Sequence, residues 1–207
     1  MTFAPEFRVI ETLGWSVKTG AVRLDRHLAR MAGTCAALGI LFPQAQLREL
    51  IDGVNTAHDL RLRLTVDREG QGALEHWPLA ATADQWRFAI AARRLNSSDM
   101  WLGHKTTNRA LYDQARLGLP EGIDELIFLN ERGEVCEGTI TNLFVQQGET
   151  LVTPPLASGL LPGVLRAELL DSGRAVEAVL TLPDLESAEA IFCGNSLRGL
   201  IRATLAE

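Results

Sequence analysis

Trp101-Leu-Gly-His104-Lys105-Thr-Thr-Asn108-Arg109 places a lysine in unusual company. Most lysines are solvated surface charges. Here apolar residues, a glycine and a histidine precede Lys105, and a helix is predicted to follow over 108–116. A lysine taken into a pocket holds its proton less tightly and can form a Schiff base with a carbonyl. Taken alone, the segment is a weak signal, so its neighbours along the chain decide its meaning.

Glu137 lies in Gly133-Glu-Val-Cys-Glu137-Gly-Thr-Ile-Thr141-Asn142-Leu-Phe. One reading is a charged turn residue beside a hairpin. The other is a buried carboxylate that keeps an aromatic ring nitrogen protonated, with Thr139, Thr141 and Asn142 supplying hydroxyls and an amide around it. Ser158-Gly-Leu-Leu-Pro162-Gly163-Val164-Leu165-Arg166 runs from a glycine-containing loop into a predicted helix, a place where backbone N–H groups favour phosphate. The same pattern suits an ordinary loop. Arg30 follows His27 by three residues and shares its helix face. It is a solvent-facing charge, or an inward fork able to grip phosphate.

The rest of the chain supplies a mixed frame. Leu24, Leu28, Met31 and Cys35 recur at spacings of three and four, which predicts a helix over 24–38 with Asp25 as N-cap and Gly39 as stop. A second helix is expected over 44–56 and another over 164–171. Leu60-Arg-Leu-Arg-Leu-Thr-Val66 alternates strictly and predicts a strand with Arg61 and Arg63 on one face. Alternation does not say which face turns inward. Residues 7–17 read as a strand or hairpin arm closed by Lys18-Thr-Gly20. Further strands are expected over 86–92, 125–129, 143–146 and 190–193. No regular βαβ rhythm links these pieces, so the class is α+β. The loop Asn96-Ser-Ser-Asp99 is the expected junction, dividing the chain into a small α/β domain, 1–95, and a larger one, 96–207.

Composition narrows the function. The 207 residues are 46% hydrophobic with a net charge of −6, enough for a substantial core and without the basic footprint of a nucleic-acid binder. Cys35, Cys136 and Cys193 are scattered, so neither a disulfide framework nor a zinc site is expected. The first residues lack the basic start and apolar stretch of a signal peptide, and no segment approaches the roughly 20 apolar residues of a membrane helix. A cytoplasmic protein with reduced thiols is the expectation.

Six segments together resemble the class IV aminotransferase family. They are Glu11-Thr12-Leu13, Arg23-Leu-Asp-Arg-His27-Leu-Ala-Arg30-Met31, Lys105-Thr-Thr-Asn108-Arg109, Glu134-Val-Cys-Glu137-Gly-Thr-Ile-Thr-Asn142, Gly159-Leu-Leu-Pro-Gly163-Val-Leu-Arg166 and Gly194-Asn-Ser196-Leu. They occur in the family's order and span nearly the whole chain. The resemblance implies a two-domain fold-type IV enzyme, D-amino-acid aminotransferase-like, holding pyridoxal 5'-phosphate (PLP), usually as a homodimer, with 96–207 as the PLP-binding domain. It implies that Lys105 carries the cofactor and that Glu137 pairs with the pyridine nitrogen. Arg30, the backbone N–H groups of Val164 and Leu165, and Ser196 would hold the phosphate, with Thr141 and Asn142 also at the cofactor. Many relatives have threonine where Leu165 stands, which removes a hydroxyl contact. The chain looks short at its N-terminus for the family, so roles from the family's opening loop are not carried over. Thr65-Val-Asp-Arg68-Glu-Gly resembles the arginine-glycine turn of relatives only in part.

Within the family the closest look is to the 4-amino-4-deoxychorismate lyases, above all the lyase domains fused to aminodeoxychorismate synthase. His104-Lys-Thr-Thr, Leu129-Asn-Glu-Arg-Gly, Leu151-Val-Thr-Pro-Pro and Gly194-Asn-Ser-Leu-Arg-Gly carry that likeness. It implies a catalytic Thr12 near the cofactor's reactive carbon and a functional partnership with the synthase. Arg61, Arg63 and Arg68 are the candidates for binding substrate carboxylates. The alternatives are an aminotransferase for branched-chain or D-amino acids and a non-catalytic PLP-binding protein.

Overall fold

The computed structural model describes residues 6–206. They fall into two compact units. One runs up to Ala81 and takes back His104–Asn108; the other is Thr82–Gly103 with the chain from Arg109 onward. The expected boundary near residue 95 therefore lies inside the second unit. The lysine segment returns to the first unit because its backbone extends the edge of a strand there, as shown below.

In the first unit, β1 (Val9–Ser16) turns into β2 (Gly20–Ala21), followed by α1 (Leu24–Leu38), α2 (Gln44–Asp52), β3 (Leu60–Val66) and β4 (Gly72–Pro78). The strands form an antiparallel sheet in the order β2-β1-β3-β4. Leu60, Leu62, Leu64 and Val66 are buried, as the alternation of β3 requires. α1 buries Leu28, Met31 and Cys35 of the predicted stripe, while Leu24 at its start is half-buried. Gly39 ends it in the left-handed conformation, its N–H turned back to the Ala36 and Cys35 carbonyls. Asp25 is not the N-cap. That position belongs to Arg23, the one non-glycine among the described residues with positive φ (56°), and no side chain caps the helix. α2 stops at Asp52, with Gly53 as its C-cap, short of the predicted 56.

The second unit begins with β5 (Gln85–Ile90) and α3 (Ala110–Leu117), then β6 (Glu125–Leu129), β7 (Val135–Gly138), β8 (Asn142–Gln147) and β9 (Thr150–Thr153). α4 (Val164–Asp171), β10 (Ala175–Glu177), α5 (Leu182–Glu186), β11 (Ile191–Asn195) and β12 (Gly199–Leu205) complete it. The sheet order is β10-β9-β8-β11-β12-β5-β6-β7, and β7 also pairs with β8 through Glu137 and Asn142. Six strands thus close into a ring, which leaves no open edge between β7 and β8. One face of the ring carries a continuous cluster from Trp86 and Phe88 through Ile127, Leu143 and Ile191 to Ile201. The other face packs Phe128 and Cys136 near α3, and Phe144 against Leu165 and Leu169 of α4. No helix among the described residues is long and apolar enough to cross a membrane.

Candidate active site

The backbone of β1 places Lys105. Ile10 N–H donates to the Lys105 carbonyl at 2.9 Å, and Val9 bridges Thr106. Arg8 and Thr107 complete the tie: Arg8 N–H meets the Thr107 hydroxyl, and Thr107 N–H meets the Arg8 carbonyl, each at 2.9 Å. The segment thereby runs beside the part of β1 that β2 does not reach, with Lys105 partly buried. The chain has one other lysine, Lys18, in the exposed turn between β1 and β2.

Alternation along β1 turns Glu11 and Thr12 to opposite faces. Glu11 is fully buried toward α1. His27 Nδ1 lies 2.6 Å from its Oε2, while Arg30 donates through Nε to Oε1 and through Nη2 to Oε2, both at 2.7 Å. Burial pushes the Glu11 carboxyl up, but the Arg30 charge and the hydrogen bonds from His27 and Arg30 outweigh it and bring its pKa down to about 2. His27 and Arg30 do share a helix face. The arginine fork, expected to grip phosphate, is bidentate on Glu11. One residue beyond, Thr12 pairs in register with Arg63, and Gly14 with Arg61. Both arginines therefore lie on the Thr12 face of the sheet, away from buried Leu62 and Leu64. The Arg61 guanidinium stacks 4.5 Å from the Trp77 ring centroid, and Arg63 lies 3.9 Å from Glu75. Arg68 sits apart from them in the turn after β3, paired with Glu69 at 3.3 Å.

In the second unit Glu137 is buried, 6% exposed, and accepts a 2.6 Å hydrogen bond from the Tyr112 hydroxyl on α3. Thr139 and Thr141 do not serve it with their hydroxyls, contrary to expectation. Both hydroxyls donate to Glu125, and so do the N–H groups of Thr139 (2.9 Å) and Ile140 (3.3 Å). Glu125 is itself fully buried, and an unsatisfied carboxylate there would be costly, so the turn wraps it. Gly138 is required by this wrapping: a Cβ would meet Thr141 Oγ1 at 2.5 Å and Glu125 Oε2 at 2.7 Å.

α4 starts at Val164 with Gly163 as N-cap and no side-chain cap, so its first-turn N–H groups have no partner within the helix. Asn142 Nδ2 donates to the Leu161 carbonyl at 3.0 Å, and a Cβ at Gly163 would fall 1.8 Å from Asn142 Oδ1. Asn142 thus helps position the loop that delivers this helix start. Ser196 is buried in the turn after β11, where Asn195 Oδ1 accepts from Leu197 N (3.1 Å) and Arg198 N (2.9 Å).

Three residues escaped the sequence reading. Tyr112 is three residues after Arg109 and Arg116 four after Tyr112, a helical spacing that was legible. Glu125 was visible only as the first residue of a strand; nothing local announces a carboxylate wrapped by residues 139–141.

A family model described as amino-transferase class IV matches residues 8–206. The chain is similar to a crystal structure described as a putative amino-acid aminotransferase from Mesorhizobium loti, at 45% identity and a TM-score of 0.91, covering 97% of this chain and all of that one. It is 28% identical over 196 residues to a putative aminodeoxychorismate lyase of Schizosaccharomyces pombe, covering 88% of this chain and 83% of that one. It is 36% identical over 198 residues to a putative branched-chain-amino-acid aminotransferase of Methanocaldococcus jannaschii, covering 82% and 68%.

Proposed function

The chain belongs to the class IV amino-transferase family, and from that membership we propose that it is a 4-amino-4-deoxychorismate lyase forming 4-aminobenzoate and pyruvate. The family is PLP-dependent. The residues present fit that cofactor. The uncapped start of α4, with the N–H groups of Val164 and Leu165, suits a phosphate, and buried Ser196 adds a hydroxyl. Glu137 suits a protonated ring nitrogen, and Asn142 braces the loop between the two. Arg30 is assigned to the phosphate by the family likeness alone, its Nε and Nη2 being engaged with Glu11. Thr141 is assigned a backbone role only, its hydroxyl being spent on Glu125. With Lys18 in an exposed turn, Lys105 is the lysine assigned to the cofactor aldehyde.

PLP, when bound, supplies a protonated ring that draws electrons away from the substrate's amine-bearing carbon. Lys105 then serves as the base that takes the proton from that carbon. Loss of the proton and of the enolpyruvyl ether makes the substrate ring aromatic, and the departing group becomes pyruvate. Thr12 donates a hydrogen bond to the departing oxygen. Arg63, its cross-strand partner, and Arg61 supply positive charge for substrate carboxylates, while Arg68 is the weaker candidate.

The observation that carries the lyase reading is Thr12, a hydroxyl on the arginine-bearing face of β1 and two residues from Ile10, which binds the Lys105 carbonyl. Incubation with 4-amino-4-deoxychorismate, followed by chromatography for 4-aminobenzoate and pyruvate, tests it directly. Thr12→Val keeps shape and strand preference but removes the hydroxyl. It should raise the barrier by about 1–3 kcal/mol with the cofactor absorbance unchanged. Borohydride reduction and peptide mapping should find the cofactor on Lys105 and none on Lys18. The 45% identity to an amino-acid aminotransferase favours a second reading, transamination. Under it an amino-acid donor converts the bound cofactor to its amine form and 4-aminobenzoate does not appear. A cytoplasmic homodimer, working beside the synthase that makes the substrate, accompanies the lyase reading; light scattering checks the dimer.

A further inference from the structure

Tyr112 is the chain's one tyrosine, and its hydroxyl meets Glu137 Oε1 at 2.6 Å. The ring is fixed on other sides as well. Phe128, almost fully buried, presents its ring at 74° with centroids 5.3 Å apart. The Arg109 guanidinium carbon lies 5.6 Å from the Tyr112 centroid. Arg109 is in turn held by Asp113 at 2.8 Å and by the Thr139 carbonyl at 2.9 Å. One stripe of α3 and its N-cap, residues 109, 112 and 116, thus faces β7 and the turn that follows it.

A carboxylate as buried as Glu137 loses hydration, which favours its neutral form. A donor bonded to the charged form opposes that. An arginine in the same place would also cancel the charge that a ring cation must find. A phenol donates one hydrogen bond and leaves the negative charge intact.

We infer that Tyr112 is a positioning residue for Glu137, its phenol holding the carboxylate ionised and oriented toward the cofactor's ring nitrogen. The inference rests on the assignment of Glu137 to that nitrogen. Groups near the pair include Arg109, above the tyrosine ring, Cys136, the preceding residue of β7, and the neutral amide of Asn142, opposite on β8. Burial, with the charges of Glu137 and Glu134, pushes the Cys136 thiol up to about 12, so it carries no charge near neutral pH. Burial and the Glu137 charge also push the Tyr112 phenol far above its ordinary range. It remains a donor throughout the working range of pH.

One tyrosine makes the test clean. Ring-labelled 13C-tyrosine reports Tyr112 alone, with or without PLP. In the cofactor-free protein it should show no ionisation near about pH 10, where an ordinary tyrosine titrates. Glu137→Gln should bring its titration down toward that value. Coupling is reciprocal, so Tyr112→Phe, which keeps the ring packing, should raise the proton affinity of Glu137 by about ten- to a hundredfold. Carboxyl 13C NMR of the cofactor-free protein reads this. In the loaded protein the same variant should weaken PLP binding more at pH 6 than at pH 8.

A wild-type Tyr112 that titrates normally, or a Glu137 unmoved by Tyr112→Phe, overturns the inference. A different result separates the underlying assignment. If Glu137→Gln leaves the cofactor absorbance and turnover normal while both titrations move as expected, Glu137 does not serve the ring nitrogen. The cofactor half of the inference then falls, and the pair stands as a structural contact.

Discussion

Glu11 and Glu125 are both fully buried carboxylates, one in each unit, and they are made tolerable in opposite ways. Glu11 is met by a cation, Arg30, on both oxygens and by the His27 ring on one, all from α1. Glu125 is met mainly by neutral donors, the hydroxyls of Thr139 and Thr141 and nearby backbone N–H groups. Its one cation among the described residues, Arg116, stays 3.6 Å away at the rim. The first arrangement fastens a helix to a strand across 16 to 19 positions of sequence. The second locks a single turn, and by doing so sets Glu137 before it and Asn142 after it. Charge is used to join elements, and neutral hydrogen bonds to shape the loop beside the proposed cofactor site.

Removing the acid from the charged arrangement should be the more damaging change. Glu11→Gln removes the buried carboxylate that the Arg30 fork and the His27 ring meet, and breaking such a buried pair costs about 3–5 kcal/mol. A fall in the midpoint of denaturant unfolding with unchanged slope would show it. The pH dependence has a definite direction. The folded pKa of Glu11 lies below its ordinary 4.5, at about 2. Its contribution is therefore complete above pH 4.5 and is lost as pH falls through about 2. The unfolding midpoint of wild type should drop over that window, and Glu11→Gln should flatten the drop. A mutant as stable as wild type would mean that the network only fills space.

Glu125→Gln should cost less, about 1.5–3 kcal/mol, because it weakens hydrogen bonds to a charged acceptor without stranding a buried cation. Its signature should be local. Hydrogen exchange at the amides of Thr139 and Ile140 should accelerate, and PLP affinity should fall with the disturbance of Glu137 and Asn142. Glu11→Gln should leave those two amides protected in molecules that remain folded.

The same contrast explains what the sequence disclosed. The charged network lies on a helix whose stripe of Leu24, Leu28, Met31 and Cys35 is legible, and His27 and Arg30 follow from its period. Strict alternation marked β3 to the residue, and Leu-rich runs marked β6 and α4. β7 was not seen as a strand: Val135-Cys-Glu-Gly is buried throughout and has no alternation to read. The edge strand β4 is mostly exposed, and β10 is three residues long, so neither leaves a periodic trace. Lys105 and Glu137 were singled out as candidates because recognisable segments surround them. The partners of Glu137 were misassigned because Thr139 and Thr141 are near it in sequence, while a carboxylate from β6 claims them in space. Whether Arg61 and Arg63 faced inward could be decided only by the register with β1, which puts them beside Thr12.

Arg116 offers the finest test of the comparison. Its side chain is 37% exposed, and its Nη1 donates to the Asp124 carbonyl at 2.9 Å, better placed than toward Glu125. Solvent at the rim screens the charge, so the pair should be worth no more than about 1 kcal/mol, the range of exposed ion pairs. Arg116→Met keeps most of the aliphatic stem and removes the guanidinium. Its small cost should shrink further as salt rises, because screening weakens an exposed pair and leaves packing untouched. Unfolding midpoints of wild type and variant at low and high salt measure both effects. If Arg116→Met is as damaging as Glu11→Gln and salt does not reduce the difference, Glu125 depends on a counter-charge after all. The two buried carboxylates would then be variants of one solution, and the hydroxyls of Thr139 and Thr141 would be secondary to the arginine.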